Sequence, residues 1–121
     1  MARILLADDE AASRELVARA LETDGHSVTT TASGHEALDH LIKAATPFDA
    51  LVTDINMPGM DGLELAAKAI AHQPGLGIVL MSGFVEQLER AKSLNTKRFG
   101  VLAKPFTLEN MRAHVRNVLA I

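Results

Sequence analysis

Ala50-Leu51-Val52-Thr53-Asp54-Ile55-Asn56-Met57-Pro58-Gly59-Met60-Asp61-Gly62 carries three structural signals in one continuous stretch. The run Ala50–Thr53 is short and nearly all apolar, the pattern of a strand covered on both faces in a parallel sheet. It stops at an acid, Asp54. Pro58-Gly59 then takes the central positions of a tight turn, which folds the loop back toward the strand end. Asp61-Gly62-Leu63-Glu64 reads as the cap of a helix that presents Leu65, Ala66, Ala69 and Ile70. Strand, turn and helix make one unit of a βα repeat.

The same alternation runs outward in both directions. Arg3–Ala7 and Gly77–Met81 are further apolar strand runs. Ser27–Thr31 is β-branched but polar, which suits a sheet edge, and Val101–Ala103 after Gly100 suits the other edge. The spacing predicts a helix over 11–24 with Leu16, Val17, Ala20 and Leu21 on its inner face and Gly25 as its stop. Ser33-Gly34-His35-Glu36 reads as a capping box for a helix that buries Ala37, Leu38, Leu41 and Ile42. A fourth helix is expected near 85–94 with Leu88, Ala91 and Leu94 inward. A fifth opens at Thr107 and carries Leu108, Met111, Val115 and Leu119. Five strands alternating with five helices imply right-handed crossovers and helices on both sheet faces. With the polar second strand at an edge, the expected fold is α/β: a flavodoxin-like (βα)5 doubly wound parallel sheet of order 2-1-3-4-5. Its ligand crevice would lie beside strands one and three. No linker, repeat or low-complexity segment interrupts the pattern, so residues 1–121 are expected to form one domain.

Composition narrows the function. The chain has 121 residues, 48 % of them hydrophobic, which is enough to build a core. It has no cysteine, which removes disulfides, zinc thiolates and thiol catalysis. No secretory signal or bilayer-length apolar run is present, and a cytoplasmic location is expected. Residues 86–121 hold seven Lys/Arg against three Glu, while the rest holds five basic against twelve acidic side chains. The acidic part argues against nucleic acid as the main ligand. The basic end is either a solvated face or a contact for an acidic partner.

Strand C-termini share one edge of a parallel sheet, and there the chemistry collects. Strand one ends in Asp8-Asp9, followed by Glu10; strand three ends in Asp54, strand four in Ser82-Gly83 and strand five in Lys104-Pro105. Clustered carboxylates repel unless a cation joins them. An oxygen-only set selects a hard ion such as Mg²⁺, which binds through one or two carboxylates plus a phosphate. Beside such an ion a carboxylate can act as a nucleophile on phosphorus. Lys104 would balance the remaining charge, and the Ser82 hydroxyl could donate to a phosphoryl oxygen. Singly, each has a plain reading: Asp9 a helix cap, Asp54 a turn residue, Ser82-Gly83 a loop, Lys104 a surface lysine. The scattered histidines 26, 35, 40, 72 and 114 are expected on helix and loop surfaces, and Phe84 and Phe99 in the core.

The stretches Ile4-Leu5-Leu6-Ala7-Asp8-Asp9-Glu10, Asp54-Ile55-Asn56-Met57-Pro58-Gly59-Met60-Asp61-Gly62, Met81-Ser82-Gly83 and Lys104-Pro105-Phe106 together resemble the receiver domain of two-component response regulators (CheY-like), over nearly the whole chain. The resemblance implies that Asp54 is the phosphoacceptor and that Asp9 and Asp54 bind the metal through side chains. It further implies Asp8 acting through water, Asn56 through its backbone carbonyl, and a cis peptide before Pro105. Ser82 would be the switch hydroxyl and Lys104 the phosphate-pairing lysine. A histidine kinase or phosphotransfer protein would donate the phosphoryl group. An output protein would then read the face of helix four, strand five and helix five. No effector domain is read from the sequence. The chain departs from the family pattern at Val101, where Tyr or Phe is usual, so signalling by rotation of an aromatic ring there is not expected. Arg3-Ile4-Leu5-Leu6-Ala7, Ser82-Gly83-Phe84 and Val101 resemble most the CpdR type of single-domain receiver, which implies a link to regulated proteolysis.

Other functions of the same fold stay open on residues alone. A flavodoxin-type FMN protein would need a hydroxyl- and glycine-rich phosphate loop after strand one and aromatics around the flavin. Asp8-Asp9 would repel that phosphate, and aromatic residues are 3 % of the chain. A phosphatase with an aspartyl nucleophile would need a further general acid, and none neighbours Asp54 in sequence. A pseudo-receiver would keep the fold as an interaction module without phosphorylation. The acidic set argues against it and Val101 keeps it open.

Overall fold

The computed structural model describes residues 1–94 and 96–120, apart from the side chains of Val85 and Leu88. Its strands are β1 (Arg3–Ala7), β2 (Ser27–Thr31), β3 (Ala50–Asp54), β4 (Gly77–Ser82) and β5 (Phe99–Ala103). The helices are α1 (Ala11–Thr23), α2 (Gly34–Lys43), α3 (Gly62–His72), α4 (Val85–Arg90) and α5 (Leu108–Ala120), with one 3-10 turn at Ala91–Ser93 after α4. All pairings are parallel, in the order β2-β1-β3-β4-β5. This is the flavodoxin-like arrangement expected from the sequence.

Burial explains the order. Every residue of β3 and β4 is buried, whereas in β2 only Thr31 is fully buried and Val28 packs partly against the core. A strand with so little apolar side-chain surface cannot profit from a central place, so it takes an edge. The sheet separates two cores. On one face Leu5, Ala7, Leu51, Ile78 and Leu80 pack with Ala37 and Leu41 of α2 and Leu65, Ala66 and Ala69 of α3. On the other, Ile4, Leu6, Val52, Val79 and Met81 pack with Val17 and Leu21 of α1 and Met111, Val115 and Val118 of α5. Each fully buried aliphatic side chain contributes about 1.5–3 kcal/mol relative to an exposed one.

Helix starts follow the expected caps. Ser33 Oγ accepts from Glu36 N at 3.1 Å, Asp61 Oδ1 from Glu64 N at 2.8 Å, and Thr107 Oγ1 from Asn110 N at 3.0 Å. Several inward faces differ from expectation. Leu16 is 56 % exposed, and Ala18 takes its place in the core beside Val17 and Leu21. Ile42 is 53 % exposed because α2 meets α3 and the sheet through Ala37, Leu38 and Leu41. Phe84 is 55 % exposed at the entry to α4, while Phe99 is half-buried against the core. The expected inward position at Leu88 lies outside the described residues; Ala91 and Leu94 do pack inward.

His26 also departs from its expected surface place. Its side chain is only 10 % exposed, Nδ1 accepts from Ala2 N at 3.2 Å, and Nε2 is buried without a partner. Burial, against the pull of Asp24, holds this imidazole below its ordinary pKa. Most cationic side chains of the basic C-terminal third are engaged within the fold. Lys92, Arg112 and Arg116 pair with nearby carboxylates, Arg90 reaches Asp61, and Arg98 donates to the carbonyls of Gly75, Val118 and Leu119. Among the described residues no helix is long and apolar enough to cross a membrane.

Candidate functional site

Parallel register brings the strand ends level. Ala7 pairs with Thr53, Asp54 with Met81, and Ser82 with Ala103. Residues that follow these positions, Asp8, Asp9, Gly83 and Lys104, therefore reach one edge of the sheet. Asp9, Glu10, Asp54, Asn56, Gly83, Phe84 and Lys104 line a cleft of about 240 Å³ there. A larger hollow of about 430 Å³ includes Met1, His26, Asp49, Gln73 and Arg98. Three polar side chains of its wall are already engaged within the fold: Asp49 accepts from Arg3 N, Gln73 donates to Phe48 O, and Arg98 holds its three carbonyls. The smaller cleft holds the reactive set.

Asp54 sits at its floor with its side chain 6 % exposed. Oδ1 accepts from Asn56 N at 3.2 Å and Oδ2 accepts from Lys104 Nζ at 2.6 Å. Burial pushes the Asp54 carboxyl above the usual carboxylate range, only partly offset by the hydrogen bond and charge of Lys104. For Lys104 burial acts downward, but the hydrogen bond and charge of Asp54, joined by the charges of Asp8 and Glu10, together outweigh it and the ammonium is held above its ordinary value. The same contact gives different net balances because Lys104 is 27 % exposed and loses less hydration than Asp54.

Asp8 is fully buried. Oδ1 accepts from Glu10 N at 3.0 Å, and Oδ2 has no hydrogen-bond partner. An unpartnered buried carboxylate oxygen is costly unless a cation meets it. Among the described residues, Asp8, Glu10 and Asp54 each bring a carboxylate oxygen within 4.8 Å of the others. This donor set fits a hard divalent cation. Asp9 lines the cleft but is exposed, and its carboxylate is not part of that cluster; Glu10 is. The sequence places both acids directly after strand one and offers no signal that separates them.

The loop after Asp54 is shaped as its Pro-Gly turn implies. Gly59 has φ +75°, a region open to glycine and strained for other residues. Gly62 N donates to Ile55 O at 2.8 Å, and a Cβ on Gly62 would lie 2.2 Å from Asp54 O. The Asp61-Gly62 start of α3 therefore lies directly against the backbone that carries Asp54. Across the cleft, Lys104 N donates to Ser82 O at 2.8 Å, and the Lys104–Pro105 peptide is cis, as the resemblance implies. Ser82 is 1 % exposed and does not line the cleft.

A family model for the response regulator receiver domain matches residues 4–116. The chain belongs to that family. It is 38 % identical to the response regulator receiver protein CpdR of Brucella abortus, with 98 % of each chain covered. Several other curated relatives are response regulators of about twice the length, of which the chain spans 50 %. Among solved structures, the chemotaxis protein CheY4 of Vibrio cholerae superposes with a TM-score of 0.86 at 31 % identity, over 98 % of this chain and 99 % of that one. The response regulator TrrA of Thermotoga maritima, in complex with Mg²⁺-BeF, superposes with a TM-score of 0.86 at 28 % identity, over 98 % and 100 %. This receiver is thus a two-component signalling protein.

Proposed function

We propose that this receiver accepts a phosphoryl group on Asp54 and that the modified chain is read by a partner protein. The observation that carries the reading is the Asp54 carboxylate itself: buried, oriented by Asn56 N and Lys104 Nζ, and clustered with the carboxylate of Asp8, whose Oδ2 is unpartnered. In the transfer, an Asp54 oxygen attacks the phosphorus of a phosphohistidine on a histidine kinase or phosphotransfer protein. The new P–O bond forms as the P–N bond breaks, and the imidazole leaves with the electron pair. Lys104 pairs with the charge on the transferred group, and the closed floor of the cleft fixes the line of attack. The complex of TrrA with Mg²⁺-BeF is in keeping with a metal beside this carboxylate.

Asp8, Asp9, Asp54 and the Asn56 carbonyl would hold a Mg²⁺ ion, with Glu10 close enough to join them. Bound there, the ion would neutralise charge on the transferring phosphoryl group. Residues 1–121 then act as one receiver unit in the cytoplasm, catalysing at most their own phosphorylation and dephosphorylation. Output through helix α4, strand β5 and helix α5 would rest on shape rather than net charge, since most cations there are paired internally.

The test is intact mass after incubation with phosphoramidate and Mg²⁺. A single phosphoryl adduct, absent when chelator replaces the metal, is expected. A folded protein that forms no adduct with small donors or a phosphorylated histidine protein would make the chain a pseudo-receiver.

A further inference from the structure

The Ser82 hydroxyl is already committed inside the fold. It accepts from the Phe84 backbone N–H at 3.0 Å and donates to Gln87 Oε1 at 2.5 Å, with Phe84 O a more distant acceptor at 3.4 Å. A serine has one hydroxyl proton, and the short bond to Gln87 takes it. Ser82 is placed to serve the cleft: it ends β4, it pairs with Ala103, and its carbonyl holds the backbone of Lys104. Yet Gly83 and Phe84 line the cleft and Ser82 does not. The hydroxyl is directed at α4 instead of at Asp54.

We infer that Gln87 is a latch, a positioning residue that holds the Ser82 hydroxyl away from the phosphoryl site and ties its release to α4. The inference rests on the reading of Asp54 as the acceptor. A phosphoryl oxygen on Asp54 is a charged acceptor, and hydrogen bonds to charged groups are roughly twice as strong as neutral ones. It therefore draws the Ser82 proton away from the neutral amide of Gln87. When the hydroxyl turns, Gln87 loses its partner. Gln87 lies in the first turn of α4, a helix of 6 residues with no side-chain cap at its start. The backbone ties that turn to the residue before it through Gln87 N, which donates to Phe84 O at 3.2 Å. Breaking the latch thus loosens the start of α4 and moves phosphorylation state to that surface. The route needs nothing from residue 101, where a half-buried valine packs against the core.

The experiment titrates beryllofluoride, a phosphoryl mimic, with Mg²⁺ into the full chain and follows bound fluoride by ¹⁹F NMR. Four proteins are compared: wild type, Gln87→Leu, Ser82→Ala and the double variant. Loss of a competing neutral hydrogen bond should tighten beryllofluoride binding in Gln87→Leu by roughly two- to tenfold. In the Ser82→Ala background the same substitution should change nothing, a result that mere disturbance of α4 would not give. An equal effect in both backgrounds, or no effect in either, overturns the latch. If Gln87→Leu fails to fold, Gln87→Met serves the same comparison. A wild type that binds no beryllofluoride would overturn the Asp54 reading and the latch together, whereas normal wild-type binding without coupling overturns the latch alone.

Discussion

Replacing Gly62 by alanine tests whether the start of α3 holds the acceptor in place. The added methyl would sit 2.2 Å from Asp54 O, 2.8 Å from Asp54 C and 2.8 Å from Ile55 Cα. Ordinary contact begins near 3.4 Å, so the two backbones must separate by about 1 Å. None of these neighbours is a flexible side-chain tip, so the strain cannot be relieved by a rotamer change. Overpacking of this kind costs about 1–3 kcal/mol, and rigid backbone on both sides favours the upper part of that range. For a domain of this size that corresponds to a fall in Tm of roughly 5–12 °C. The displacement also moves Asp54 relative to Lys104, whose contact is 2.6 Å, so adduct formation should slow in the fraction that stays folded. Urea and thermal unfolding followed by circular dichroism, with adduct formation followed by mass at a temperature where the variant is folded, measure both effects. A Tm within about 1 °C of wild type with an unchanged rate would refute the reasoning.

Three further outcomes follow from named contacts. Lys104→Met removes a donor that holds the Asp54 carboxyl down, so the Asp54 pKa, read by NMR of the side-chain carboxyl carbon, should rise further; a fall or no change would contradict the ion pair. His26 is held below its ordinary value of 6.5 chiefly by burial, so the unfolded chain binds its proton more readily than the folded one. Stability should therefore drop as pH falls through 6.5 toward the folded value, by at most about 1.4 kcal/mol per pH unit from this group. His26→Gln should lose that part of the slope, and an identical profile in the variant would count against it. Ser33→Ala removes the cap on Glu36 N and should cost about 1 kcal/mol in urea unfolding, with adduct formation unchanged.

Sheet order was legible because burial is written into strand composition. The apolar runs of β1, β3 and β4 can only be interior, and the polar Ser27–Thr31 can only be an edge. The reactive set was legible for a related reason: parallel strands bring their C-terminal ends to one edge, whatever the helices do. Helix faces were less so. Leu16 and Val17 are adjacent and equally apolar, and which of them turns inward depends on the angle at which α1 docks. Phe84 is apolar but stands at the lip of the cleft, where the chain leaves the sheet and the residue stays 55 % exposed. Glu10 joins the acidic cluster through the path of the chain between β1 and α1, which no spacing rule encodes. Gln87 carried no signal at all, because a glutamine on a short helix is ordinary until its partner is known.

The most direct test of the central claim is to locate the phosphoryl group. After reaction with phosphoramidate and Mg²⁺, reduction of the acyl phosphate with labelled borohydride marks the modified residue for peptide sequencing by mass spectrometry. The account predicts the label on Asp54 alone, and none in Asp54→Ala. Label on Asp8, Asp9 or Glu10, or an adduct that persists in Asp54→Ala, would contradict it.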